Sequence, residues 1–72
     1  MAQINPWRMA EECENAAQGA VDPAERTAFT NIRDLWIALA NESPFLTAAE
    51  FRDQINWIKA TRAELIGKVT LH

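Results

Sequence analysis

The stretch Asp22-Pro23-Ala24-Glu25-Arg26, leading into Phe29, Ile32, Leu35, Trp36 and Leu39, constrains the fold of this chain more than any other. It joins a helix start to an apolar stripe at helical spacing. Asp22 suits an N-cap, Pro23 presets φ where its missing N–H costs nothing, and Glu25 stands where a capping box places a carboxylate that reaches back. At ~100° per residue, Ala28, Ile32, Leu35, Trp36 and Leu39 share one face, with Phe29 at its edge. The spacing predicts a helix over residues 23–41, ended by Pro44, which biases Ser43 away from helical geometry.

The same punctuation recurs on both sides. Asn5-Pro6 reads as an N-cap with proline at the first helical position, and Gly19 marks the exit. Thr47-Ala48-Ala49-Glu50 is a second capping box, opening a helix that runs to about Ile66 with Gly67 as its C′ residue. The expectation is a single all-α domain over residues 1–72, with helices at about 6–19, 23–41 and 48–66. Residues 68–72 are too few to build a sheet and are expected to fray or to pack loosely across the bundle.

The apolar faces suggest how these helices meet. Helix 1 offers Met9, Ala10, Cys13, Ala16, Ala17 and Ala20, nearly all small, which lets a neighbour approach closely. The few residues between helices 1 and 2 imply an antiparallel hairpin. Helix 3 carries a seam of Phe51, Ile55, Ile58 and Leu65, joined by Ala48 and Ile66. It folds back on the hairpin as a three-helix bundle, or packs on a second chain in an oligomeric bundle.

Four residues resist sorting into core and solvent, and they form the candidate interface. Trp57 projects among Asp53, Ala60 and Glu64, away from the Phe51 seam. Ile37 falls outside the helix 2 stripe, near Arg33 and Thr30. Trp7 lies opposite the alanine face, where it either packs at the bundle end or meets a partner. Arg62 interrupts the helix 3 seam, so it either lays its stem on the seam and sends its head to solvent, or forms an ion pair across an interface. An exposed aliphatic residue alone means little, but aromatic residues are enriched at interfaces. Trp57 and Ile37 together suggest helices buried on more than one side.

Size and composition narrow the rest. A chain of 72 residues has a small core and commonly needs a disulfide, a metal or oligomerisation. Cys13 is the only cysteine, which excludes an internal disulfide, and Cys13 with His72 cannot supply a structural zinc site. Self-association is the device left. No apolar run approaches the ~20 residues of a membrane span, and Met1-Ala2-Gln3-Ile4-Asn5-Pro6 has no signal-peptide pattern. A cytoplasmic protein without membrane contact is expected.

Chemistry finds little support. The single histidine is the final residue, and Cys13 beside Glu12 and Glu14 lacks an electropositive setting. Glu11, Glu12 and Glu14 point to different faces of one helix and make a solvated, dipole-favourable start rather than a metal site. No phosphate loop, nucleotide fingerprint or calcium loop is present. Neither enzyme activity nor a cofactor is expected. A net charge of −3 weighs against nucleic-acid binding. Helix 2, the turn at 41–46 and helix 3 do loosely suggest a helix-turn-helix, with Arg52, Lys59 and Arg62 along one side. The turn is longer than usual, however, and salt-bridged solvent faces account for the charges more simply.

The order Met9-Ala10-Glu11-Glu12-Cys13, Ala16-Ala17, Asp22-Pro23-x-x-Arg26, Phe29, Trp36 and Leu39-Ala40-x-Glu42 resembles a group of short helical-hairpin proteins of alphaproteobacteria. In that group an alanine-rich helix leads through an Asp-Pro turn into a helix ending Trp-x-x-Leu-Ala. The resemblance covers about half the chain, implies a bacterial source and transfers no catalytic residue. The marked third helix is a departure from it. Together these features point to a small interaction, regulatory or adaptor protein that self-associates, with room for an unidentified protein partner. The alternative is a small DNA-associated transcriptional regulator.

Overall fold

The computed structural model describes residues 4–70, with side chains through Lys68. The readings placed on Met1, Ala2, Gln3, Leu71 and His72 lie outside the described residues. The chain forms an all-α bundle of α1 (Pro6–Gly19), α2 (Pro23–Glu42) and α3 (Ala48–Thr70), with a 3-10 turn at Ser43–Phe45 between α2 and α3. Among the described residues there is no strand.

Each helix begins where its polar cap dictates. The Asn5 side chain accepts from the Trp7 N–H at 3.0 Å, and Asp22 Oδ1 accepts from the Ala24 N–H at 2.9 Å. Glu25 makes no return bond to Asp22, so only half of that predicted box forms. At α3 the box is complete. The Thr47 N–H donates to Glu50 Oε1 at 2.9 Å, and the Glu50 N–H donates to Thr47 Oγ1 at 3.1 Å. Two of the donors that a helix start leaves unpaired are thereby satisfied.

Those bonds from Thr47 hold the Glu50 carboxyl below its ordinary pKa, the backbone bond contributing most. A group whose folded pKa is depressed stabilises the fold above its unfolded value, about 4.3 for glutamate. That stability is lost as pH falls through the lowered folded value. Thr47→Ala is expected to cost about 1 kcal/mol at neutral pH. That cost should change little with pH, because the Thr47 backbone N–H that does most to lower the Glu50 pKa survives in the variant; the advantage of wild type over Glu50→Gln, by contrast, should shrink below about pH 4, and thermal melts across that range will read both.

The C-terminal end of α3 corrects the sequence reading. Gly67 was expected to stop the helix in a left-handed conformation, and the tail from Lys68 to fray. Instead α3 continues through Gly67 to Thr70, and among the described residues none takes a positive φ. A glycine can end a helix only if the chain turns there; without that turn it is one more helical residue, weaker than alanine. At the end of α2, Ser43 is still helical (φ −53°, ψ −36°), and its hydroxyl donates to the Ala40 carbonyl.

Helices α1 and α2 pair as the predicted antiparallel hairpin. Ala10, Cys13, Ala17 and Ala20 are all buried, so the small-residue face of α1 is taken up within the chain. Two polar links fix the pair. Arg26 donates from Nη2 to the Ala20 carbonyl at 3.0 Å across the turn, and Arg33 bridges from α2 to Glu14 of α1. That bond, with a second from Gln18, lowers the Glu14 pKa.

Helix α3 folds back on α2 of its own chain, less extensively than α1 does, and scarcely touches α1. The core joins Ala10 and Cys13 of α1, Ile32, Trp36 and Leu39 of α2, and Ile55 and Ile58 of α3. Trp36, Ile32 and Ile58 are the largest fully buried side chains. Ala48, placed on the α3 seam by periodicity, is exposed, because it precedes the point where α3 meets the core.

Candidate functional site

The four residues that did not fit the sequence pattern separate into three situations. Trp57 and Trp7 are each 55% exposed, a large open fraction for indole side chains. Trp57 lies at mid-helix on α3, and Asp53, Ala60 and Glu64 around it are exposed. Trp7 stands in the first turn of α1 and does not pack away at the bundle end.

Ile37 is corrected. It was expected beyond the buried arc of α2, yet it is half-buried and packs against the core. The reason lies one turn earlier, at Arg33. That side chain reaches Glu14 of α1, so this side of α2 is covered by α1. With one helix on each flank, α2 buries a wider arc than a single stripe suggests.

Arg62 is exposed but stands at the inner edge of α3. With Lys59 it borders a small cleft of about 100 Å3 against Cys13, Glu12, Phe29 and Trp36. A wider groove of about 800 Å3 lies between the start of α1 (Ile4, Pro6), the α2–α3 connection (Ser43, Leu46) and the Phe51–Lys59 side of α3. Lys59 borders both. The two hollows adjoin at Lys59 and make up a furrow along the gap between α1 and α3, each of which packs on α2 and barely on the other.

The charges of α3 also differ from expectation. Salt-bridged faces were expected to account for Arg52, Lys59 and Arg62. Among the described residues none of the three forms an ion pair; the pairs are Arg33–Glu14, Arg33–Asp34 and Lys68–Glu64. Glu50 is engaged by Thr47 instead. The three unpaired cations line the furrow together, which sequence spacing hinted at but did not connect to a groove.

The chemistry of the remaining candidates is limited. Burial pushes the Cys13 thiol above its ordinary pKa; Arg62 opposes this and Glu12 adds to it. Such a thiol is mostly protonated at neutral pH and a weak nucleophile. The Trp36 indole N–H is buried and meets no acceptor. Among the described residues no three His, Cys, Asp or Glu side chains group as metal ligands, and no helix is long and apolar enough to cross a membrane. The chain matches no family model, no curated protein and no solved structure.

Proposed function

We propose that this chain is a non-catalytic protein–protein interaction module, of regulatory or adaptor type, that associates with itself through the outer face of α3. The observation that carries this reading is Trp57. It sits at mid-helix, 55% exposed, on a face turned away from the helix that anchors α3. Tryptophan is among the commonest residues at interface hot spots, and removing one from such a centre costs 2 kcal/mol or more of binding, by the usual order of magnitude. The buried, protonated thiol of Cys13 agrees with a non-catalytic role.

Sedimentation across a concentration series tests the proposal. The wild-type chain is expected to sediment faster as concentration rises, and Trp57→Ala to remain a monomer. The substitution is at an exposed position and is expected to change folding stability by less than about 1 kcal/mol, so the variant stays folded. Association of Trp57→Ala equal to wild type would remove this face as the interface.

A further inference from the structure

The furrow between α1 and α3 is a second surface, distinct from the Trp57 face. Its lining mixes polar and apolar groups: half-buried Met9 and Phe29 stand at the narrow end and half-buried Leu46 and Phe51 at the wide end, over buried Trp36 and Ile55. Its α3 bank carries Arg52, Lys59 and Arg62, all exposed and, among the described residues, none in an ion pair. The α1 bank carries a single carboxylate, Glu12, beside Met9. In a chain of net charge −3, three cations along one furrow, none of them paired among the described residues, form a local field opposite to that of the whole.

We infer that the furrow docks an acidic amphipathic helix of a partner protein. Arg52 and Arg62 stand ten positions apart, about 15 Å along a helix. That matches roughly three turns of a ligand helix laid in the groove. Such a helix covers the floor with its apolar stripe and sets carboxylates beside that stripe against the cations, the helix-in-groove mode of recognition. Duplex nucleic acid fits less well. It would meet the cations but leave Met9, Leu46 and Phe51 uncovered, and Glu12 would face its phosphates.

This inference rests on reading the chain as an interaction module, but it concerns a different face, so the two can fail separately. The probe is a synthetic helical peptide of about 14 residues, roughly 21 Å long, with leucines at i, i+3, i+4 and i+7 and glutamates flanking them. Titration calorimetry is run with the wild-type chain and with Trp57→Ala. The inference expects saturable one-to-one binding to both, and no binding of the matched peptide with lysine in place of glutamate. Lys59→Glu and Arg52→Glu are expected to weaken binding at least about tenfold each; both positions are exposed, and circular dichroism checks the fold. Four results would overturn the inference: no binding of the glutamate peptide, equal binding of the lysine peptide, unchanged affinity in both charge reversals, or a low-salt gel shift with duplex DNA that Lys59→Glu abolishes. Loss of self-association in Lys59→Glu would assign the furrow to a second copy of this chain and also overturn it. If Trp57→Ala still associates but the peptide binds as expected, the Trp57 interface fails and the furrow stands.

Discussion

Trp36→Ala is expected to cost about 3–5 kcal/mol and to leave the chain without a cooperative unfolding transition at 37 °C. The size of the effect follows from where the indole sits. Trp36 is 1% exposed, and it shares one cluster with Ala10 and Cys13 of α1 and with Ile55 and Ile58 of α3. It is therefore common to both helix pairings, and the cavity left by its removal cannot be closed by small neighbours. A domain of this size holds roughly 4–11 kcal/mol in total, so a single loss of this order removes much of it. Urea titration followed by far-UV circular dichroism provides the check. Trp36→Phe supplies the contrast. It keeps an aromatic ring and discards a buried N–H that has no acceptor. An unsatisfied buried donor costs about 1–3 kcal/mol, so relief of that cost offsets part of the lost volume. The phenylalanine variant should retain a cooperative transition; damage equal to that of alanine would mean that the indole N–H makes a bond the fold depends on.

Ile58→Ala is expected to cost about 2–5 kcal/mol, and to spend that loss unevenly. Ile58, at 1% exposure, is the most deeply buried side chain of α3. It fixes a helix that packs on α2 and scarcely on α1. The hairpin has its own ties: the alanine face of α1, the Arg26–Ala20 bond and the Arg33–Glu14 bridge. Opening of α3 alone is then the cheapest route to exchange. Hydrogen exchange should speed up in α3 by at least about 30-fold, since 1.4 kcal/mol is tenfold. The amides of α1 and α2 should speed up by less. Uniform acceleration across all three helices would show that the hairpin has no stability apart from α3.

Much of the fold is legible because caps are local. Asn5, Asp22 and Thr47 each place a side-chain oxygen two or three residues from an N–H that needs it, and no distant residue alters that need. Helix ends are harder. Gly67 is compatible with a left-handed stop and with a continuing helix, and the choice depends on what α3 packs against. The arc of α2 was underestimated for a related reason. A periodic stripe shows one buried face, whereas Ile37 is buried by a second neighbour that Arg33 and Glu14 hold in place. Trp57 was found because its isolation on a polar face is a property of one helix. The furrow was not, because it arises from two helices that fail to meet. Arg52, Lys59 and Arg62 are visible as a row, but that none of them forms an ion pair among the described residues is a tertiary fact.

The central claim is that Trp57 lies on an association surface while Trp36 belongs to the core. The three tryptophan indole N–H signals in a nitrogen-15 correlation spectrum report on it directly, read with a soluble paramagnetic agent at low and at high protein concentration. The account predicts that Trp36 is shielded throughout. Trp57 should be bleached in the dilute sample and become shielded as concentration rises, and the Trp57 signal should be absent in Trp57→Ala. A Trp57 signal bleached equally at both concentrations, in a sample that sediments as a monomer, would contradict it.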